Sequence, residues 1–442
     1  MVHTFKFKNN LFALDVESGS VHILSSLAFD AINAINKGDD KDNLIAKYSK
    51  SEINDVIQDI EALKNEGVLF SEREYEPEDL RAFNPVLKAL CLNITSGCNL
   101  RCEYCFADAG HIAHEDMSFD VSKRAIDMLI EQSENRTNLE VDFFGGEPTI
   151  NFDVVKQTVA YARKREAETG KNFRFTVTTN AYAITDEMID FFNKEMKNVV
   201  ISMDGRKEIH DSIRRTAGNQ PSYDRILKNA KRLVEARGDQ EYYVRGTYTK
   251  KNLDFSNDVI CLYDHGFKEV SVEPVVTSGK LALSEEDLPK IMEEYDCLAE
   301  YLIENRKKKG LNFFHFMIDL SGGPCLNKRL RGCGAGVEYL AVNPDGSIYP
   351  CHQLAGENGF LMGNVFDQKL DAEIAQRFNA CHIYTKDVCM ECPVKYYCGG
   401  GCMANAFHKN NDFHQPYSLE CDMMRRRVEL GIAINILEDQ DD

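Results

Sequence analysis

The sequence predicts an α/β protein, a partial (β/α)6 barrel with a winged-helix-like α+β unit before it and a cysteine-rich domain after it. Three observations carry this. Six short apolar runs alternate with amphipathic stretches between Leu87 and Pro274, the pattern of parallel strands joined by right-handed helical crossovers. The text before them mixes a short alternating stretch with helical periodicity, and the text after them turns to glycines and isolated cysteines. The expected domains are residues 1–80, 81–310 and 311–442.

In the first unit, apolar residues alternate through Thr4–Asp15, and Leu24–Phe70 reads as amphipathic helix. The acidic segment Glu72–Asp79, broken by Pro77, is expected to be a linker. Strands are then expected at Leu87–Ile94, Asn138–Phe144, Phe173–Thr178, Val199–Met203, Tyr242–Tyr248 and Glu269–Pro274. Helices are expected between them at Val121–Glu134, Phe152–Glu168, Asp186–Lys194, Tyr223–Val234 and Ser256–His265. A long charged helix, Glu285–Lys308, ends this part. Beyond it a hairpin is expected, Tyr339–Val342 and Ser347–Pro350 around Pro344-Asp345-Gly346. A region with so little apolar text needs metal or cluster crosslinks to hold one shape.

The chain has 442 residues and a formal net charge of −19, which argues against general affinity for nucleic acid or anionic membrane and suits a basic peptide better. With 43% hydrophobic and 28% charged residues, it has no apolar run of bilayer length. A cytoplasmic protein is expected. Fifteen cysteines are far more than packing requires in a reducing compartment, where thiolates are more often metal or cluster ligands than disulfides.

Active groups of a β/α barrel sit at the carboxyl ends of its strands. Just after the first strand come Cys98, Cys102 and Cys105, spaced Cys-x3-Cys-x2-Cys on a loop with Gly97 and Asn99. Three thiolates on one loop suit three irons of a 4Fe–4S cube and leave the fourth iron open. A structural zinc site would normally complete four ligands. The run Cys98-Asn99-Leu100-Arg101-Cys102-Glu103-Tyr104-Cys105 resembles the defining loop of the radical S-adenosylmethionine (SAM) superfamily. That resemblance implies a cube whose open iron chelates SAM, reductive cleavage of SAM to a 5′-deoxyadenosyl radical, and Tyr104 near the adenine.

Later strand ends extend the resemblance. Phe144-Gly145-Gly146-Glu147-Pro148 is similar to the family's segment for the SAM amino group, with Gly145 and Gly146 allowing close backbone approach and Glu147 a negative partner. Without the cysteine loop it would pass for a strand-end turn. Thr178-Thr179-Asn180 and Ser202-Met203-Asp204-Gly205 are similar to the ribose and methionine contacts, which gives Asn180, Ser202 and Asp204 as candidates. Asp204 alternatively serves a turn with Gly205. Arg214 or Arg215 is a candidate for the SAM carboxylate, or else a solvated helix residue.

The second array is Cys333, Cys351, Cys389-x2-Cys392-x5-Cys398-x3-Cys402 and Cys421. It resembles the seven-cysteine pattern of the SPASM extension, which implies two auxiliary 4Fe–4S clusters and three in all. In family terms Cys389, Cys392, Cys398 and Cys421 hold one, while Cys333, Cys351 and Cys402 hold the other. Cys325 either completes the second set or is no ligand, leaving an iron open to a substrate thiolate. The plain alternative is a pair of zinc sites that only staple a small domain. Cys91, Cys261, Cys297 and Cys381 are expected to be buried or incidental.

Three stretches resemble the maturases of SCIFF peptides, short cysteine-rich precursors: Ser271–Val276, Phe313–Leu320, and Gly322-Gly323-Pro324-Cys325 leading to Gly332-Cys333-Gly334. The resemblance implies thioether crosslinks from cysteine sulfur to carbon. It also implies a first domain that recognises the precursor peptide, by strand addition at a sheet edge, and a low-potential electron donor such as flavodoxin or ferredoxin. Two alternatives stand beside it. One is a SPASM-type anaerobic sulfatase maturase making formylglycine. The other is a zinc-stabilised peptide-binding protein without catalysis.

Overall fold

The computed structural model describes residues 1–38, 42–73, 85–107, 114–320, 326–367 and 369–440. Strands β1 (Val2–Phe7), β2 (Asn10–Asp15) and β3 (Val21–Leu24) form an antiparallel sheet in that order. Helices Ser26–Lys37 and Lys50–Asn65 cover it through Leu27, Ala31, Ile32, Ile53 and Ile60. Ser49 and Glu52 cap the second helix reciprocally, satisfying backbone donors that its first turn would leave open. The expected linker falls mostly outside the described residues.

Ten strands make the main sheet. Their ranges are β4 Ala89–Thr95, β6 Asn138–Gly145, β7 Asn172–Thr179, β8 Met196–Ser202, β10 Tyr242–Tyr248, β11 Glu269–Pro274, β12 Asn312–Phe313, β13 Tyr339–Val342, β14 Ser347–Tyr349 and β15 Gly363–Asn364. The order is β12-β11-β10-β8-β7-β6-β4-β13-β14-β15. Every pair from β12 to β13 is parallel, so the six expected strands form a partial barrel, and β13 continues it beside β4. Two three-residue strands, β5 (Leu100–Cys102) and β9 (Arg214–Thr216), pair separately and antiparallel.

Side chains alternate along each strand. Leu90, Leu92 and Ile94 of β4, Leu139, Val141 and Phe143 of β6, and Phe173, Phe175 and Val177 of β7 belong to the main core. Helices Phe119–Gln132, Phe152–Thr169, Asp186–Glu195, Tyr223–Arg237, Ser256–Asp264 and Leu288–Lys309 supply its other half, for example Ala125, Leu129, Val155 and Leu298. The intervening positions, such as Asn93, Thr176, Thr178, Ser202, Arg245, Thr247 and Glu273, look into the concave side. That side is polar and less tightly buried.

One C-terminal element was not expected from the sequence. A long helix, Ser418–Gln440, follows the short pieces and packs along Leu288–Lys309. Its centre, Leu430–Ile434, is buried on all sides, so it lacks the one-sided stripe that would announce a helix in the sequence. Among the described residues no helix is long and apolar enough to cross a membrane.

Candidate active site

The cysteine loop leaves β4 at Thr95 and returns as β5, where Cys102 pairs with Arg214 of β9. Three features fix its path. Buried Leu100 anchors it in the core, the Arg101 guanidinium donates to the carbonyls of Cys98 and Leu100 at 2.7 Å each, and Glu103 is held outside by Lys251 and Lys280. The loop also touches the next strand end at van der Waals limits. A Cβ on Gly146 would lie 2.1 Å from the Gly97 carbonyl oxygen, so glycine is required there.

Burial pushes the Cys98 thiol up to about 12 and the Cys102 thiol up to about 11. Alone they would stay protonated. Thiols kept neutral by burial become ligands when a positively charged centre displaces their protons. The Leu100 amide already donates to Cys98 Sγ at 3.4 Å, and Asn180 Nδ2 lies 3.6 Å from it. Cys105 lies on the same cavity wall, so the donor set has the three thiols that a cube would need, while among the described residues no three such side chains converge closely enough to hold a metal ion.

Glu147 has another task besides charge. Its carboxylate accepts from Thr149 Oγ1 at 2.6 Å, Thr149 N at 3.2 Å, Thr179 Oγ1 at 2.7 Å and Asn180 N at 2.7 Å. It thereby ties the ends of β6 and β7 into one floor. Asn180 extends the floor by bonding Asn99 at 2.8 Å.

Tyr104 donates to both oxygens of Asp204, at 2.8 and 2.7 Å, and accepts from Arg214 at 2.6 Å. Asp204 is fully buried and also accepts from Thr247 N at 3.1 Å. It is absent from the cavity wall, so its contacts here hold Tyr104 and Arg214 in place, while those two and Ser202 line the cavity. Arg214 and Arg215 lie on β9 rather than on a helix, and Arg214 is buried.

The cavity has a volume of about 370 Å3. One wall is the cysteine loop with Gly145, Gly146 and Glu147, and the facing wall carries Cys402, Asn405 and Glu420 of the last domain. A second cavity of about 690 Å3 adjoins it, with Phe106, Phe144 and His352 lining both. The Phe144 and His352 rings are 5.0 Å apart.

The later cysteines influence one another's ionisation, and Cys381 and Cys91 take part beside them. Cys351 and Cys402 each feel Cys333, and Cys402 feels Cys351. Cys389 feels Cys398 and Cys392, Cys398 feels Cys421 and Cys392, and Cys421 feels Cys389 and Cys392. Burial is the first cause in every case, pushing Cys351, Cys398 and Cys421 up to about 12 and Cys389 up to about 11. The chemistry of these thiols suits cluster ligands, while among the described residues no three such side chains converge closely enough to hold a metal ion. Cys325 lies outside the described residues.

The sequence matches the Radical SAM superfamily over residues 92–250 and the SPASM iron–sulfur cluster-binding domain over residues 333–393. The chain is a radical SAM/SPASM-domain enzyme. This radical SAM enzyme is 24% identical to the cysteine-type anaerobic sulfatase-maturating enzyme of Clostridium novyi, over 72% of the chain and 88% of that protein. In fold it is similar to anSMEcpe with bound AdoMet, with a TM-score of 0.67 and 20% identity over 80% of this chain and 100% of that one. It is also similar to Streptococcus suis SuiB bound to the precursor peptide SuiA, with a TM-score of 0.55 and 17% identity over 95% and 98%. At these identities the solved structures establish the fold alone.

The sequence reading did not single out Arg245, Glu273, His352 or Glu420 as site residues. Alternation offered a signal for the first two, since Arg245 and Thr247 interrupt buried Val244 and Tyr248, and Glu273 follows buried Val272. His352 and Glu420 each stand next to a cysteine, Cys351 and Cys421, whose spacing is the stronger signal.

Proposed function

We propose that this radical SAM enzyme matures a ribosomally made, cysteine-rich precursor peptide by joining cysteine sulfur to carbon of another residue. The observation that carries the reading is the shared cavity, which has the three-cysteine loop on one wall and Cys402 on the other. A peptide cysteine and an acceptor residue would meet there, between the radical source and the auxiliary thiolates. When bound, the clusters and SAM supply hydrogen abstraction by an adenosyl radical and a place for the released electron. The chain's own share is to hold SAM with Gly145, Gly146, Asn180, Ser202 and Arg214, and to shield the site from water.

The first unit supports a peptide substrate. β3 is an edge strand, and Ile23 on it is 47% exposed, which suits pairing with an added strand of precursor. SuiB, whose solved complex contains a precursor peptide, matches this chain over nearly its whole length including that unit. A second reading, formylglycine formation, is favoured by the higher structural similarity to anSMEcpe, also solved with AdoMet and an 18Cys peptide.

Mass spectrometry of the precursor after anaerobic turnover separates them. Loss of two hydrogens per bond, with the cysteine resistant to alkylation, is expected for the thioether. Replacement of the cysteine sulfur by oxygen with loss of two hydrogens would identify formylglycine and refute the first reading.

A further inference from the structure

Two of the three carboxylates on the cavity wall are placed in opposite ways, while the third, Glu420, accepts from Asn405 at 3.1 Å. Glu147 is saturated, with four donors from its own chain. Glu273, at the end of β11, has two arginines and one histidine near its carboxylate among the described residues. His315 Nε2 lies at 3.4 Å, Arg427 at 3.8 Å and Arg245 at 3.9 Å. Its side chain is 30% exposed, and it lines the cavity.

The surroundings keep this carboxylate charged. Burial opposes ionisation, but the positive charges of Arg427 and Arg245 hold it below the usual range. Burial and Arg427 push His315 itself down to about 3, so His315 is neutral at working pH and the two arginines supply the positive charge. Arg427 is fixed from behind, since its Nε donates to Tyr295 at 2.8 Å and Tyr295 shares a 2.9 Å hydrogen bond with Tyr248. His315 is steadied by Ser271 Oγ at 3.2 Å. These groups form a rigid brace whose open side is the cavity.

A carboxylate held ionised, braced from behind and short of donors needs hydrogen-bond donors from whatever fills the cavity. A peptide drawn into it brings backbone N–H groups that lose their water on entry. We infer that Glu273 anchors the substrate peptide, its carboxylate accepting from the backbone N–H of the residue that loses hydrogen, and so sets which carbon faces the radical source. The inference rests on the peptide-maturase reading above. Glu273 acts on substrate position, and His315 and Arg427 act through it.

The test uses the full chain, purified anaerobically with its clusters, and the cysteine-rich precursor with a fluorescent label. Wild type and Glu273→Gln are compared in three readouts, and Glu273→Asp is the second variant. The readouts are peptide Kd by anisotropy, SAM affinity from the change in the reduced-cluster EPR signal, and crosslinks formed per 5′-deoxyadenosine. Losing a charge-assisted bond predicts peptide binding at least about tenfold weaker and at least about tenfold fewer crosslinks per deoxyadenosine. SAM affinity stays within about twofold, and Glu273→Asp recovers part of both losses.

Weakened SAM binding with peptide binding intact would make Glu273 a SAM ligand and overturn the inference. Unchanged values in all three readouts would leave it a brace for Arg427 and overturn it equally. If wild type binds the precursor but modifies nothing, the maturase reading fails, and the anisotropy comparison still decides whether Glu273 anchors peptide.

Discussion

The two cysteine regions stand on unlike supports. The Cys98 loop hangs from a large core: its floor is the ends of β4, β6 and β7, tied by Glu147, and Leu100 is part of the main cluster of buried side chains. The loop therefore has its shape before any iron arrives. The Cys389–Cys398 region is built from helical turns of three or four residues, with a small cluster of Leu330, Ile383, Tyr384 and Cys389 on one side and Val394 as its buried link to the main core. There a bound cluster would be part of what holds the chain together. The difference teaches that a ligand substitution in the first region removes chemistry, while one in the second removes chemistry and local structure together.

Four variants sharpen that contrast, ranked by effect on SAM cleavage. Cys98→Ala removes one of three ligands, and 5′-deoxyadenosine should vanish while the melting temperature changes little. Retained cleavage would sink the assignment of the loop. Gly146→Ala puts a Cβ 2.1 Å from the Gly97 carbonyl oxygen. Overpacking of about 1–3 kcal/mol should weaken SAM binding about 5- to 150-fold, as read by titration.

Cys398→Ala should keep part of the cleavage, yield no modified peptide, and open the segment around Ile383–Cys398 to hydrogen exchange. Unaltered exchange there would mean that this region, too, is preformed. Smallest in its effect on cleavage is Lys395→Met. Lys395 Nζ and Tyr396 OH meet the Glu17 carboxylate at 2.8 and 2.7 Å, with the Lys395 and Glu17 side chains 1% and 7% exposed. Removing one partner of a buried pair costs about 3–5 kcal/mol. The first unit should therefore exchange faster while cleavage stays within about twofold.

The same pair gives a pH signature. Burial opposes ionisation of Glu17, yet Lys395 and Tyr396 hold its carboxyl below the ordinary value. A depressed folded-state value stabilises at pH above the unfolded one, about 4.3 for glutamate, and the contribution is lost as pH falls through the folded value. Wild type should thus loosen at this contact on acidification below about pH 4.5, and Lys395→Met should show no such step.

Much of this architecture was legible because apolar runs alternating with amphipathic ones leave little freedom. β10 and β11 coincide with the expected Tyr242–Tyr248 and Glu269–Pro274, and the other four core strands differ by a few residues at their ends. What escaped was short or uniformly buried. β3 has four residues, β5 and β9 have three each, and Leu430–Ile434 is buried on every side. The cysteines of the site were visible through their spacing. Glu273 was legible only as a polar residue following buried Val272, which in sequence looks like one facing solvent.

The most direct test of the central claim, that the radical made at the Cys98 loop acts on a peptide in the shared cavity, follows the hydrogen. A precursor peptide deuterated at carbon is turned over anaerobically, and the 5′-deoxyadenosine is weighed by mass spectrometry. The account predicts deuterium in the deoxyadenosine in step with peptide modification. Modified peptide accompanied by unlabelled deoxyadenosine would contradict it.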